Sequence, residues 1–246
     1  MQGDAILHIL KSHHCLSYLP RLSKTLLQTP RISNYNIVSI GLGQYVHIGF
    51  VTTLQQKLLS LPVNQLPTEV VIDISTDGAT FNESVQFWPI QYRIKSINSK
   101  PIIAGVYIEK QKPCDLYKFL ELFVNDILQV LQNGGILIND KKIPLRIRCF
   151  IADAPARAFI LNHKGHMSSN PCSKCKVEGF RLSNRMVFDV FDSPLRTDRE
   201  YKMCVDVEHH NGESPLSVLP IGLVSNVPFE YMHLVLLGVT KKLIIA

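Results

Sequence analysis

The spacing of apolar residues predicts four strands in the middle of the chain. β-Branched and aromatic residues dominate four short stretches, TEVVIDIST (68–76), VQFWPIQYRI (85–94), PIIAGVYIEK (101–110) and LRIRCFIAD (145–153). Proline cannot donate a hydrogen bond to a neighbouring strand, so Pro89 predicts an edge position or a bulge for the second stretch. A short hairpin, ILINDKKIP (136–144), is predicted before the fourth.

Between the third and fourth strands the period changes to that of a helix. Apolar residues follow i, i+3, i+4, i+7 spacing at Leu116, Phe119, Leu120, Phe123, Ile127, Val130 and Leu131. Asp115 is placed to cap this helix or lie in its first turn, and Gly134 is a natural stop. Another helix is predicted from Ala154-Pro155, because proline is tolerated in a first turn.

These elements predict an α/β fold with a mixed sheet and flanking helices. Three meandering strands, a crossover helix and a neighbouring strand are an order shared by ribonuclease-H-like domains. Before them, residues 1–68 predict a small lead-in region with helical stretches at 5–14, 22–30 and 50–61 and an extended stretch at 40–50. Pro62 and Pro67 mark a linker, so the predicted domains are 1–68 and 69–246.

Two aspartates fall at predicted strand ends. Asp73 and Asp77 share one face of the first strand, and Asp153 ends the strand after the crossover helix. If those strands are neighbours, Asp77 (or Asp73) and Asp153 can share a divalent cation, which keeps adjacent carboxylates ionised. Such a site supports phosphoryl transfer. The alternative is that each aspartate is a turn or cap residue.

Charge is distributed unevenly along the chain. The formal net charge is +6, yet residues 141–185 hold ten lysines and arginines against two acidic residues, while residues 186–213 are acidic. A basic segment favours a polyanionic partner, although a solvated basic face is the alternative. No apolar run approaches the roughly 18 residues of a membrane helix, so no membrane partner is expected. The six cysteines indicate reduced thiols or metal ligands.

The Cys172-Ser-Lys-Cys175 motif has the spacing of half a zinc site. The neighbouring lysines, Lys174 and Lys176, favour the thiolate form. The remaining ligands would come from histidines or from outside this chain, the candidates being His163, His166, His209, His210 and His233. Free loop cysteines are the alternative.

A last amphipathic helix is predicted over SNVPFEYMHLVLLGVTKKLI (225–244). Asn226 is its expected cap and Pro228 lies in the first turn. Glu230 and His233 are three residues apart and so share a face, although a histidine on a helix is often incidental. The sequence stops at Ala246 with no capping signal, which favours a truncated product.

Several of these segments together resemble the catalytic core of the CACTA (En/Spm-like) transposases found in animal genomes. The most specific segments are FIADAPARAFI (150–160) and KGHMSSNPCSKC (164–175). Further similar segments are LLQTPR (26–31), GQYVHIGF (43–50), TDG (76–78) with QFWPI (86–90), GVYIEKQKP (105–113), SPLRTD, VDVEHH and FEYMHLVLLGVTKKL.

The resemblance implies a ribonuclease-H-like DDE/D nuclease that uses Mg²⁺ or Mn²⁺. Its first two acids match Asp77 and Asp153, and its CxxC matches Cys172 and Cys175. Its acidic-x-x-His signature matches Glu230 and His233, although the acid of the family is usually Asp. The third catalytic acid is expected beyond that signature, so no residue is assigned to it.

The expected function is therefore cleavage and strand transfer of transposon DNA, in the nucleus, by a core that can form homo-oligomers. The expected metal sites are Asp77 with Asp153 for magnesium, and Cys172 and Cys175 with His233 for zinc. Expected DNA contacts are Arg157, Lys164, Lys174, Lys176 and Arg181. One alternative is an inactive or domesticated remnant that binds DNA or protein. Another is a different ribonuclease-H-like nuclease.

Overall fold

The structure, a computed structural model, describes residues 2–28, 35–82, 85–190 and 192–245. It divides into two compact units, Met1–Tyr35 and Asn36–Ala246. The predicted boundary between residues 68 and 69 does not coincide with this division. Two strands and a helix that precede residue 68 belong to the second unit, because the strands join its main sheet.

The first unit is built from short helical segments. α1 spans Gln2–Ser12, a 3₁₀ turn spans His14–Leu16, and α2 spans Ser23–Leu26. Both predicted helical stretches are confirmed, although residues 29 and 30 of the second lie outside the described residues. The Asp4 carboxylate holds α1 against α2, because its Oδ1 accepts hydrogen bonds from the Ser23 backbone N–H at 2.6 Å and from Ser23 Oγ at 2.7 Å.

The second unit is a mixed α/β structure, as predicted. Its strands are β1 Ile37–Ile40, β2 Gly43–His47, β3 Val70–Thr76, β4 Ala79–Asn82, β5 Val85–Ile94, β6 Ile102–Glu109, β7 Ile136–Ile138, β8 Lys141–Ile143, β9 Leu145–Ile151, β10 Phe180–Leu182 and β11 Arg185–Val187. Its α-helices are α3 Phe50–Leu59, α4 Leu116–Gln132, α5 Ala154–Ile160, α6 Asp198–Lys202 and α7 Lys241–Ile245. Short 3₁₀ turns lie at Val63–Gln65, Lys95–Ile97 and Pro215–Val218.

Seven strands form the main sheet in the order β1-β2-β6-β5-β3-β9, with β4 paired to β5. The predicted meander is confirmed, because β3, β5 and β6 pair antiparallel in chain order. After the crossover helix α4, β9 pairs parallel with β3. β3, β6 and β9 therefore run in one direction, and their carboxyl ends lie at the same edge of the sheet. β4 was not predicted.

The sheet order tests the two predictions made for Pro89, an edge position or a bulge. β5 lies between β3 and β6, so the edge position is wrong. The pairing of β5 with β6 shifts register between Ile90 and Gln91, next to the proline, but the extra residue, Ala104, lies on β6, so the bulge is in the neighbouring strand and not in the proline-containing one. The carbonyl of Pro89 accepts a hydrogen bond from Thr76 Oγ1 at 2.8 Å.

The helix α4 has the predicted cap and the predicted apolar face. Asp115 Oδ1 accepts the backbone N–H of Lys118 at 3.0 Å, and the chain leaves the helix through Gly134 at φ +72°. Phe119 is fully buried and makes edge-to-face contacts with Tyr45 of β2 and Tyr107 of β6. The helix thus closes the core over the sheet.

The last helix begins later than predicted. A π-helix, Met232–Thr240, continues into α7, and Asn226 does not cap it. Instead Asn226 Oδ1 accepts the backbone N–H of Gly222 at 2.8 Å, and its Nδ2 donates to the Arg148 carbonyl at 2.9 Å. Among the described residues, no helix combines the length and apolar character that crossing a membrane requires.

Candidate active site

The register of β3 and β9 brings Asp77 and Asp153 to one end of neighbouring strands. Ser75 lies opposite Ile151 in this parallel pair, and each aspartate follows its partnered residue by two positions. Neighbouring strands run about 4.8 Å apart, so the two acids follow the sheet at the same level and side by side.

A third segment, residues 226–229, runs alongside the other edge of β9. The backbone N–H of Phe150 donates to the Asn226 carbonyl at 2.9 Å, and Ala152 forms a parallel bridge with Phe229. Glu230 therefore follows its bridge residue just as Asp153 follows Ala152. We call Asp77, Asp153 and Glu230 the strand-end acids.

Electrostatic interactions link the strand-end acids. The pKa of Asp77 is raised above its ordinary value, chiefly by burial and next by the negative charge of Asp153, with a smaller increase from Glu230. The backbone N–H of Gly78 and the charge of His233 oppose this increase. At Asp77, burial and the neighbouring negative charges thus outweigh the groups that stabilise the ionised carboxylate.

Glu230 and His233 form a close pair at the start of the last helix. Glu230 Oε2 lies 2.7 Å from His233 Nδ1 and accepts the His233 backbone N–H at 2.7 Å. Its Oε1 accepts the backbone N–H of Met232 at 2.8 Å. Burial acts to raise the pKa of Glu230, but these hydrogen bonds outweigh it, so the net shift is downward. Glu230 is thereby held ionised beside the two aspartates.

Asp73, the alternative to Asp77, has its charge neutralised within the fold. Its two carboxylate oxygens accept hydrogen bonds from Arg148 Nε and Nη2, each at 2.5 Å, and Cys149 Sγ donates to Oδ1 at 3.3 Å. Burial acts to raise the pKa of Asp73, but the bonds from Arg148 and Cys149 lower it overall. Asp77 is therefore the better candidate for a cation ligand.

Local packing holds the two aspartates in place. Asp153 caps α5, since its Oδ1 accepts the backbone N–H of Ala156 at 2.8 Å; the cap alternative for Asp153 is thus also observed. A carboxylate has two oxygens, so this cap and a cation ligand are compatible. After Asp77, a side chain at Gly78 would meet the Trp88 ring within 2.7 Å, and Trp88 packs edge-to-face on Phe159 of α5. This support was not predicted, although the tryptophan of the next predicted strand is a signal that could have indicated it.

The five predicted DNA contacts fall into two groups. Arg157 is buried with its guanidinium 4.5 Å from the centre of the Phe229 ring. Lys174 Nζ donates to the Val224 and Val227 carbonyls, and burial lowers the pKa of its amino group. These two residues hold the fold together around Phe229, so they are poorly placed for phosphate.

The other three residues keep contact with solvent. Lys164 pairs with Glu208 at 3.3 Å, and Lys176 pairs with Glu200 at 3.0 Å. Arg181 lies with Arg185 on the exposed hairpin of β10 and β11, and neither has an ion pair among the described residues. The hairpin is therefore the basic element best placed to meet a phosphate backbone.

Cys172 and Cys175 form a tight turn that the backbone stabilises. Cys172 Sγ accepts the backbone N–H groups of Lys174 and Cys175, both at 3.4 Å. Arg196 Nε donates to the carbonyls of both cysteines, at 2.9 and 3.1 Å, and Arg196 Nη1 pairs with Asp206 at 2.7 Å. Burial, together with the neighbouring Cys172, raises the pKa of the Cys175 thiol. We call residues 161–179 and 194–210 the cysteine–histidine region.

Three histidines pack in this region. His163 stacks on His209 with ring centres 4.5 Å apart, and His210 forms a bridge with His163. Burial lowers the pKa of His163 to about 3 and that of His209 to about 4, so both are neutral. His209 uses both ring nitrogens internally, with the Asn170 carbonyl at 2.7 Å and the hydroxyl of Tyr201 at 3.2 Å.

The predicted zinc set of Cys172, Cys175 and His233 is not brought together. His233 is held by Glu230 beside Asp77 instead. Within the described ranges, neither the strand-end acids nor the cysteine pair with a histidine forms a group of three ligand atoms within 4.8 Å of one another. The cysteine pair stays a predicted half-site.

Comparison with models of known protein families finds no match for this sequence, and comparison with curated proteins finds none either.

Proposed function

We propose that the chain is a DNA transposase core whose strand-end acids carry out metal-dependent cleavage and strand transfer of transposon DNA. The observation that carries the proposal is the raised pKa of Asp77, caused by burial and by the negative charges of Asp153 and Glu230 at adjacent segment ends. Perturbed carboxylates grouped at a sheet edge are typical of catalytic sites.

The sheet order supports the same proposal. β6-β5-β3-β9, followed by the segment 226–229, gives three antiparallel strands and two parallel neighbours on one side. This order of strands is shared by ribonuclease-H-like domains. The resemblance of FIADAPARAFI and KGHMSSNPCSKC to CACTA transposases agrees with it.

The residues fit a divalent cation. Asp77 and Asp153 provide carboxylate oxygens of the kind that Mg²⁺ or Mn²⁺ takes, and a cation would relieve the repulsion that contributes to the raised pKa of Asp77. When bound, such ions activate the attacking hydroxyl and stabilise the charge on the phosphate. Asp77 and Asp153 would be the principal ligands, and Glu230 would add negative charge and hold the His233 imidazole by its Nδ1.

The exposed arginines of the β10–β11 hairpin would contact DNA phosphates, with Lys164 and Lys176 as additional contacts. Such contacts position the duplex and carry little sequence information. The proposed substrate places the protein in the nucleus, and homo-oligomers would bring two transposon ends together.

A cleavage assay on supercoiled DNA with and without Mg²⁺ or Mn²⁺ tests the proposal. Asp153→Asn keeps a side chain that can cap α5 and removes the charge, so nicking should fall by at least a hundredfold. Asp115→Asn is the matched control, because Asp115 caps α4 in the same way. Equal nicking by wild type and Asp153→Asn would overturn the assignment.

A second candidate function is a DNA-binding remnant without chemistry. It is favoured by the absence, among the described residues, of three carboxylate ligand atoms within 4.8 Å of one another. This candidate predicts salt-sensitive DNA binding that does not depend on Mg²⁺. Arg181→Met should lower DNA affinity and reduce the salt slope by about one, without a change in stability. Lys174→Met should instead lower stability. The structure would be contradicted if Arg181→Met lowered stability and Lys174→Met lowered only DNA affinity.

A further inference from the structure

Three consecutive residues after α1 gather metal-binding side chains in the first unit. His13, His14 and Cys15 each offer one ligand atom, and these atoms all lie within 4.8 Å of one another. Cys15 Sγ is 3.2 Å from His14 Nε2, and the rings of the two histidines are 5.0 Å apart. Among the described residues this is the one group of three such side chains that meets this distance.

The local backbone prepares these side chains for a cation. His13 Nδ1 accepts the backbone N–H of Cys15 at 3.4 Å, which orients the ring and leaves Nε2 as its metal-binding nitrogen. His13 follows the last residue of the 11-residue helix α1, and its own N–H bonds to the Leu10 carbonyl. The carboxyl end of a helix carries partial negative charge, which favours a cation there.

The types of ligand atom in this group fit zinc. Imidazole nitrogen and thiolate sulfur are the ligands that zinc takes in proteins, at about 2.0 Å for nitrogen and about 2.3 Å for sulfur. A tetrahedral ion would draw the three atoms closer than 4.8 Å, and the exposed side chains can rotate to do so. Three protein ligands leave a fourth position for water.

We propose that the turn after α1 binds one zinc ion through Cys15 Sγ, His13 and His14, with water as the fourth ligand. In the binding step the S–H bond of Cys15 breaks, a zinc–sulfur bond forms, and the proton is released to solvent. The proposal does not depend on the transposase assignment, because none of the strand-end acids takes part.

Zinc titration of the full chain, with thiols kept reduced, tests the proposal. Bound zinc is counted at saturation, and cobalt substitution reports thiolate ligation through its charge-transfer absorption. Cys15→Ser should remove one equivalent of zinc together with the corresponding cobalt–thiolate absorption. His13→Ala and His14→Ala should each weaken this site at least tenfold, the smallest effect expected when even a supporting residue is lost.

Two controls make the result specific. His8→Ala removes an exposed histidine from α1 that is outside the group, and it should leave zinc stoichiometry and affinity unchanged. Cys172→Ser/Cys175→Ser should leave the equivalent assigned to Cys15 in place, whatever zinc the second unit binds. The proposal is overturned if Cys15→Ser keeps the full stoichiometry and cobalt absorption, or if His8→Ala weakens binding as much as His14→Ala.

Discussion

The strand-end acids and the cysteine–histidine region differ in how their charged groups are paired. In the cysteine–histidine region the charges of Lys164, Lys176 and Arg196 each meet an acidic partner, and Arg196 also donates to two backbone carbonyls. Four buried polar atoms of this region have no hydrogen-bond partner among the described residues: His163 Nε2, Ser173 Oγ, Arg196 Nη2 and His210 Nδ1. At the strand ends, the negative charges of Asp153 and Glu230 repel the Asp77 carboxylate, and the charge of His233 compensates for part of this repulsion.

The difference separates a structural region from a candidate binding site. Internal pairing stabilises the fold and leaves little for a ligand to gain, whereas unrelieved repulsion is a free energy that a bound cation can recover. By this criterion the buried Arg157 and the half-buried Lys174 belong with the structural groups, although both lie in the basic segment. Sequence charge alone does not make this distinction.

The largest expected effect comes from breaking the central pair of the cysteine–histidine region. The Arg196 side chain is 3% exposed, so Arg196→Met leaves Asp206 Oδ2 and two carbonyls without the donors that Arg196 provides. We expect a loss of roughly 3 kcal/mol in the free energy of unfolding, measured by urea denaturation, the lower end for a broken buried pair because Asp206 keeps some solvent contact.

Arg146→Met provides the matched control. Arg146 pairs with Glu69 through Nε at 3.0 Å, but its side chain is 55% exposed, so its loss should cost less than about 1 kcal/mol. Similar costs for both variants would show that the cysteine–histidine region is not held by Arg196. Adding Asp206→Leu to Arg196→Met should recover part of the loss.

Local patterns predicted the framework of the sheet better than they predicted its surroundings. Strands β3, β5, β6 and β9 and helix α4 follow from periodicity, because each has one stripe or face that must be buried. Their order also placed Asp77 and Asp153 at adjacent strand ends. Asp115 and Gly134 gave the ends of α4 correctly, since caps are local.

The failures have a common physical cause. The pairing of β2 with β6, the segment 226–229 beside β9 and the bond from Asn226 to the Arg148 carbonyl join residues distant in sequence. No local pattern encodes such contacts. The same holds for Arg157 and Lys174, whose burial depends on Phe229, more than fifty residues away from each.

An effect that is smaller per unit of pH is expected from acid, and it concerns the buried histidines of the cysteine–histidine region. His163 is neutral in the fold with a pKa of about 3, below the ordinary 6.5 of an unfolded chain. Its contribution to stability is complete above about pH 6.5 and is lost as pH falls toward 3. In that window each pH unit should cost about 1.4 kcal/mol through this histidine.

His163→Asn tests this expectation, because asparagine can still donate to the Lys164 carbonyl that His163 Nδ1 contacts at 2.7 Å. The free energy of unfolding, measured by urea denaturation between pH 7 and pH 4, should fall less steeply in the variant, by about one proton. An unchanged slope would mean that His163 is not the buried group that takes up the proton on unfolding.

The smallest expected effect is at Asp77. Removing its charge should stabilise the protein, whereas removing a paired charge should destabilise it. Because its folded pKa is raised, ionised Asp77 destabilises the metal-free protein at neutral pH, so Asp77→Asn should raise the melting temperature at pH 7. The gain should shrink as pH falls from the raised folded pKa toward the ordinary value of 3.8, and it should be absent below 3.8, where Asp77 is protonated in both states. Millimolar Mg²⁺ should stabilise wild type and not the variant.

Asp73→Asn, on the same strand face, should do the reverse. The pKa of Asp73 is lowered in the fold, so its ionised form stabilises the protein above the ordinary pKa and the variant should melt lower at pH 7. If both variants melt lower and Mg²⁺ does not distinguish them, the two aspartates are equivalent structural residues. The difference between the strand-end acids and the paired charges would then be lost, and with it the physical case for a cation at Asp77.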